Sequence, residues 1–126
     1  MIYFSLQEVL AFHDRILERF GGRSGVRDMG LLESALQQPM LTVFGQELHP
    51  TPELKAAAYL YHLAQNHPFV DGNKRTAYTA MALFMRVNGF HLKAAEDELF
   101  DLTLAVANGQ MEKEEIAVWV VAHRIG

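Results

Sequence analysis

A ten-residue segment with the sequence HPFVDGNKRT, residues 67–76, dictates more of the architecture than any other part of the chain. Apolar residues recur at helical spacing both before and after it. Because Pro68 disfavours helical backbone at His67, the preceding helix should end near Asn66. Asn73 is a candidate N-cap for the following helix. The segment is therefore predicted to be a tight loop between two packed helices.

The same segment concentrates groups that handle phosphate. His67 can move a proton near neutral pH, and Asp71 can hold a divalent cation. Backbone N–H groups at Gly72 and the start of the next helix can face an anion. Lys74 and Arg75 are cations in the first helical turn, where the helix dipole favours acids, and this departure indicates a bound anion.

Each of these residues also has an ordinary structural explanation. Asp-Gly-Asn is a common turn sequence, and a histidine before a proline is more often structural than catalytic. The two cations could be solvated. The residues alone leave both interpretations open.

The rest of the chain is predicted to be helical. Apolar periodicity indicates six helices, at about 5–20, 28–38, 51–66, 73–87, 96–107 and 112–123, with Ser5, Asp28 and Thr51 as candidate N-caps of the first three. Residues 40–50 are either irregular or a short extended flap. We therefore expect an all-α bundle of about six helices, with at most one small strand pair near 41–48 or 90–92. At 126 residues the chain should form one domain, residues 1–126.

Composition excludes several classes of protein. The absence of cysteine rules out a disulfide framework and thiolate metal sites. There is no basic stripe for direct nucleic-acid binding, no apolar run long enough for a membrane span and no evident signal peptide. We expect a cytoplasmic protein.

The remaining histidines have structural interpretations. His13 and His62 lie within apolar helical patterns, where a satisfied core or boundary role is expected. His49 and His91 fall in predicted loops. No histidine pair has the spacing of a zinc site.

The segment HPFxDGNKR resembles the signature of the Fic/Doc superfamily, whose usual form is HPFx[DE]GNGRxxR. Lys74 stands where most Fic proteins have glycine, and Tyr78 stands where they have a second arginine. Both departures are shared with the Doc (death-on-curing) toxin branch. Residues 20–36 and 83–89 also resemble that branch, as does the length of the chain.

This resemblance implies a compact Fic/Doc-type fold, ATP and Mg²⁺ as cofactors, and specific roles for the motif. In those roles His67 is the general base, Asp71 holds Mg²⁺ and Phe69 anchors the loop in the core. The implied nucleotide- and phosphate-binding residues are Gly72, Asn73, Lys74 and Arg75. Residues 40–50 resemble the flap that aligns the target peptide as an added strand.

The resemblance implies a Doc-like toxin that transfers phosphate from ATP to a hydroxyl side chain of a target protein, namely a translation elongation factor. Two alternatives stay open: a Fic-type adenylyltransferase that transfers AMP, and a catalytically silent binding module. Phosphate transfer is favoured because Lys74 would penalise a left-handed backbone that glycine accepts, and because Tyr78 removes a phosphate contact.

The resemblance also implies a partner. Self-inhibited Fic proteins carry an [ST]xxxE[GN] helix, and the sequence contains no such element. We therefore expect a cognate antitoxin with a segment that folds on binding.

Overall fold

Six α-helices build the fold of residues 1–125, the part of the chain that this computed structural model describes. They are α1 Leu6–Phe20, α2 Met29–Gln37, α3 Pro52–Asn66, α4 Asn73–Val87, α5 Glu96–Ala107 and α6 Lys113–His123. A 3₁₀ turn, Gln38–Met40, follows α2. The predicted all-α bundle of six helices is confirmed. None of these helices combines the length and apolarity that crossing a membrane requires.

Two short antiparallel strand pairs accompany the helices, one more than predicted. Strand β1, Thr42–Val43, pairs with β2, Gln46–Glu47, so the predicted flap is a hairpin. Strand β3, His91–Leu92, pairs with β4, Arg124–Ile125, at the end of the described chain. His91 therefore lies in a strand and not in a loop. Two-residue strands are too short to show alternation in sequence, which explains why the second pair was not predicted.

Helix α3 lies at the centre and packs against α2, α4, α5 and α6. Its alanines, Ala56, Ala57, Ala58 and Ala64, are buried and let the neighbouring helices approach closely. Between them Tyr59, Leu60 and Leu63 fill the core. The Tyr59 hydroxyl accepts a hydrogen bond from the Phe4 backbone N–H at 3.0 Å, which ties the N-terminus to this helix.

The helix starts follow local capping chemistry. The predicted caps Ser5, Asp28 and Thr51 each accept a hydrogen bond from a first-turn backbone N–H. The predicted cap at Asn73 is wrong. Helix α4 begins at Asn73 itself, Gly72 takes the cap position, and no side chain caps the first turn.

Basic side chains, some of them buried, join the β1–β2 hairpin to α3 and α6. Lys55 is only 2 % exposed, and its ammonium donates to the Glu47 carboxylate and the His49 carbonyl. The Lys113 Nζ atom lies 2.9 Å from His49 Nε2 and 3.2 Å from His62 Nε2. Both imidazoles must be neutral to accept these hydrogen bonds.

We predict that the folded protein loses stability as pH falls from neutral towards acid, in part through His62. Burial, aided by the Lys113 charge, lowers the pKa of His62 from 6.5 to about 4. Between these values the unfolded chain binds more protons than the folded one, so stability rises with pH there. Urea unfolding at about pH 7.5 and about pH 5.5 should show a lower midpoint at the lower pH. His62→Gln, which keeps a hydrogen-bond acceptor but cannot titrate, should shrink that difference; an undiminished difference would contradict the prediction.

Candidate active site

The loop between α3 and α4 holds two residues in left-handed backbone conformations. His67 has φ 49° and ψ 54°, and Gly72 has φ 77° and ψ 17°. Glycine adopts this region freely, but a histidine there is uncommon and strained. Such strain persists only where the surroundings enforce it, and it concentrates at functional sites.

Asn73 fixes the centre of the loop. Its side-chain oxygen accepts from the Phe69 backbone N–H at 2.9 Å, and its amide nitrogen donates to the Phe69 carbonyl at 2.9 Å. Phe69 is fully buried and Asn73 is 5 % exposed. Both ends of the amide are thus occupied, which explains why Asn73 does not cap α4. Its side chain shapes the loop, and its role in phosphate binding stays a prediction.

His13 supports the same loop from α1. Its ring stacks on the Phe69 ring, with centroids 3.8 Å apart and an interplanar angle of 8°. Its Nε2 lies 2.7 Å from the Asp71 carbonyl oxygen, where it donates a hydrogen bond. The predicted role of a satisfied core histidine is confirmed for His13. The sequence did not reveal that its partner is the motif loop.

The segment before α2, through Gly25 and Arg27, forms hydrogen bonds with the other side of the loop. The Arg27 guanidinium donates to the Asn66 carbonyl at 2.8 Å and the His67 carbonyl at 2.7 Å, satisfying the C-terminal end of α3. The Val70 N–H donates to the Gly25 carbonyl at 3.0 Å. Arg27 was missed from sequence, although the resemblance of residues 20–36 to the Doc branch pointed to this segment.

Asp71 presents an exposed, ionised carboxylate. Backbone N–H groups of Arg23 and Gly72 donate to its two oxygens at 3.2 and 2.9 Å, and these bonds hold the pKa of Asp71 below its usual range. The Gly72 N–H is therefore not free to face an anion, contrary to the prediction. The first-turn amides of α4 beyond Gly72 stay available, because no side chain caps them.

Gly22 packs directly against this carboxylate. A Cβ built at Gly22 would lie 3.0 Å from Asp71 Oδ2, and its φ of 126° disfavours other residues. The glycine is thus needed for the close approach of the two segments.

The predicted site residues converge on one cleft of about 260 Å³, and only Phe69 lies beneath it rather than in its wall. The lining residues are His67, Val70, Asp71, Gly72, Asn73, Lys74, Arg75 and Phe100. Lys74 has helical backbone, so the argument that lysine penalises a left-handed conformation does not apply. Among residues 1–125 the Lys74 ammonium forms no ion pair.

Arg75, in contrast, is already engaged. Its Nε lies 3.8 Å from Glu96 Oε1, and its guanidinium carbon lies 4.1 Å from the centre of the Phe20 ring. The Tyr78 hydroxyl donates to the same Glu96 oxygen at 2.9 Å. Burial and this carboxylate raise the pKa of Tyr78 to about 12, so the hydroxyl stays protonated. Sequence reasoning placed Glu96 only at a helix start and missed this contact.

These contacts draw Arg75 towards a second, adjoining cleft of about 480 Å³. It is lined by Arg75, Tyr78, Glu96, Asp97 and Phe100. Arg75 and Phe100 belong to the walls of both clefts. A phosphate in the smaller cleft would therefore compete with Glu96 for the guanidinium.

The residues present fit a magnesium ion held mainly by a ligand. In the described part of the chain, no three histidine or acidic side chains converge on a metal position. Mg²⁺ commonly binds through one or two carboxylates together with phosphate oxygens and water. Asp71 is exposed, ionised and at the edge of the cleft, which suits that arrangement.

Comparison with known proteins identifies the family of the chain. The model of the Fic/DOC family matches residues 3–85. The chain belongs to the Fic/DOC family. It is 45% identical over 100 residues to Toxin Doc of Mycolicibacterium smegmatis, covering 78% of this chain and 77% of that protein. It is 35% identical over 117 residues to Protein kinase doc of Escherichia phage P1, covering 93% of this chain and 91% of that protein.

We predict that Asn73→Ala loosens this Fic/DOC motif loop and destabilises the fold. The change strands the buried N–H and carbonyl of Phe69, at about 1–3 kcal/mol for each group. Asn73→Asp should also destabilise, because a carboxylate still accepts from the N–H but cannot donate to the Phe69 carbonyl. Urea unfolding gives the free energy, and hydrogen exchange reports opening of residues 67–72.

Asn88→Ala is the matched control. Asn88 sits at the opposite end of α4, where its amide bonds to the Phe84 carbonyl and to the exposed backbone of Ile2. It should leave exchange in the motif loop unchanged. Equal loop opening in the two alanine variants would refute the role assigned to Asn73.

Proposed function

We propose that this chain is a Doc-like toxin that transfers the terminal phosphate of ATP to a hydroxyl side chain of a target protein, a translation elongation factor. One observation carries the proposal: His67, Asp71, Lys74 and the uncapped first turn of α4 face a single cleft. The names of the two relatives, Toxin Doc and Protein kinase doc, support it.

In the proposed reaction His67 acts as the general base. Its side chain is exposed at the cleft, and histidine is the side chain that most often serves as a general base. It takes the proton of the target hydroxyl while that oxygen bonds to the terminal phosphorus. The bond from this phosphorus to the bridging oxygen breaks, and ADP leaves. The left-handed backbone at His67 is part of how the loop presents the ring.

Asp71 would hold Mg²⁺, which when bound neutralises charge on the nucleotide phosphates. The Arg23 and Gly72 backbone bonds keep this carboxylate ionised and fixed in direction. Lys74 and the first-turn amides of α4 would receive phosphate oxygens, since the positive end of a helix favours anions. Arg75 would join them after leaving Glu96.

Transfer of phosphate is favoured over transfer of AMP by the positions of the cations. Tyr78, at the place of the second arginine of most Fic proteins, is buried and turned towards Glu96, so it supplies no charge to the cleft. Of the two cations in the cleft wall, Lys74 and Arg75, Lys74 has no ion pair among residues 1–125. A nucleotide with its terminal phosphate near His67 and Lys74 matches this charge distribution best.

The proposed partner is an antitoxin with a segment that orders when it binds. The relative named Toxin Doc supports this assignment. Glu96 engages Arg75 but leaves His67 and Lys74 open, so this contact alone does not close the cleft. Expression without the antitoxin should therefore arrest growth.

We predict that a cell extract incubated with the purified protein acquires label from γ-labelled ATP and not from α-labelled ATP. His67→Asn should lower the transfer about 10²–10⁴-fold, because the general base is lost. Asparagine tolerates left-handed backbone better than most residues, so the fold should persist. The same variant should not arrest growth.

The label separates the three candidate functions. Incorporation from the α position alone would replace the kinase with an adenylyltransferase. No incorporation from either position, with growth arrest that survives His67→Asn, would favour a silent binding module. Circular dichroism and urea unfolding of His67→Asn establish that any loss is chemical.

We predict that Glu96→Gln tightens the binding of a non-hydrolysable ATP analogue. The substitution frees Arg75 from its ionic partner, and partly exposed ion pairs of this kind contribute about 0.2–1 kcal/mol, or roughly a 1.4- to 5-fold change in dissociation constant. Asp97→Asn removes a neighbouring charge in the same wall without releasing Arg75. Titration calorimetry should show tighter binding for Glu96→Gln than for Asp97→Asn, and equal constants would disprove competition for the guanidinium.

A further inference from the structure

The β1–β2 hairpin attaches to the bundle by its polar face. Side chains alternate across a strand, so the register partners Thr42 and Glu47 share one face of the hairpin. The Glu47 carboxylate binds the buried ammonium of Lys55 at 2.8 Å, and this polar face is therefore the one that meets α3. An antiparallel sheet with one solvated face ordinarily turns its apolar side inwards. In this hairpin the arrangement is reversed.

The opposite face of the hairpin presents apolar side chains to solvent. Alternation places Val43 and Leu48 on that face, and both are exposed. The Leu48 N–H donates to the Leu41 carbonyl at 2.9 Å, which extends the pairing of the strands and fixes the side on which Leu48 lies. Together with Phe44 at the tip of the hairpin, Val43 and Leu48 form an exposed surface that we call the hairpin patch.

Phe44 occupies the tip at two costs to the fold. Its φ is 51° and that of Gly45 is 77°, the pair of positive values that a type I′ turn requires. Asparagine, aspartate and glycine adopt this backbone readily, whereas a bulky residue there is an outlier. The phenyl ring is also completely exposed, so packing against the described residues does not compensate either cost. Local rules that are broken together in this way indicate a functional position.

The size of the hairpin patch indicates what kind of partner covers it. A stable protein interface buries about 800 Å² on each partner and involves about 20–30 residues a side. The patch offers roughly 400 Å², and one phenylalanine supplies about half of it. Contacts of that size suit a partner that binds and then leaves, as the protein substrate of an enzyme must. A tightly bound second copy or inhibitor would need a larger apolar surface.

We propose that the hairpin patch docks the protein substrate, with Phe44 inserted into an apolar pocket on the surface of that protein. The inference rests on the proposed function, which supplies a protein to be modified. It differs from strand addition, in which the substrate would pair with the hairpin backbone. Each strand has only two residues, so an added strand would gain few hydrogen bonds, whereas docking removes a whole phenyl ring from water. The substrate is thus recognised as a folded surface and not as an extended peptide.

Phe44→Asn separates this docking role from a structural one. Asparagine followed by glycine is a preferred type I′ pair, so the variant should keep or raise the urea midpoint of the parental protein. Docking should nevertheless weaken, because burial of a phenylalanine side chain corresponds to about a 10- to 100-fold change in affinity. With the extract protein that acquires label from ATP purified as substrate, KM should rise by about that factor while kcat changes little. Phe44→Leu, which keeps an apolar side chain, should give an intermediate KM.

A matched control and a crosslink identify the contact. Val118 is an exposed apolar residue of α6 outside the patch, so Val118→Gln should leave KM unchanged. In the full chain, p-benzoylphenylalanine in place of Phe44 should crosslink on illumination to the same extract protein that takes up label. The same photoreactive residue in place of Val118 should not.

The outcomes distinguish this inference from the proposed reaction. An unchanged KM in Phe44→Asn, a rise in KM accompanied by a lower urea midpoint, or no crosslink from position 44 to the labelled protein would overturn the inference. Label that arrives from the α position of ATP with the same dependence on Phe44 would replace the kinase and leave the docking role in place. If no extract protein takes up label, growth on expression is compared instead. Phe44→Asn should then relieve the arrest, and no difference in growth between the two chains would overturn the inference.

Discussion

The site depends on the burial of Phe69, whose backbone N–H and carbonyl must both be hydrogen-bonded inside the fold. The loop must turn sharply between two packed helices while a fully buried residue sits at its centre. Any unpaired N–H or carbonyl there would cost about 1–3 kcal/mol. Asn73 meets both needs with one side chain, and His13 covers the ring. Because these contacts are buried, the loop keeps one shape, and the exposed groups on its outer surface keep fixed directions.

That rigidity supports strain that the loop could not hold alone. His67 occupies a left-handed conformation before a proline. Arg27, which lies outside the motif, donates a hydrogen bond to its carbonyl. Gly22 approaches Asp71 so closely that a Cβ there would lie 3.0 Å from Oδ2 and would press on the carboxylate. Residues outside the 67–76 segment therefore supply part of the contacts that hold this loop in place. Residues of α1 and of the segment before α2 determine where the histidine and the carboxylate point, although they never line the cleft.

The sequence predicts interactions between residues that are close together in the chain, and it does not predict those between distant residues. The caps at Ser5 and Thr51 depend on neighbours three residues away, and the helix periods depend on residues within two turns, so both were predicted correctly. The Arg75–Glu96 contact and the β3–β4 pair join residues far apart in the chain. Such contacts depend on how helices pack, which a single sequence does not state. Asn73 was mispredicted for the same reason. Its side chain does not cap α4 because it bonds to the buried backbone of Phe69.

The balance of charge in the cleft explains why a divalent cation belongs to the proposed chemistry. Asp71 is ionised at its edge, Arg75 is paired with Glu96, and Lys74 is the remaining cation in the cleft wall. One ammonium against one carboxylate leaves little net attraction for a polyanion such as ATP. An uncompensated carboxylate beside phosphate oxygens would repel them. In the proposed reaction a magnesium ion bound to the nucleotide would convert that repulsion into attraction, so the carboxylate that would weaken binding of the free anion would strengthen binding of its metal complex.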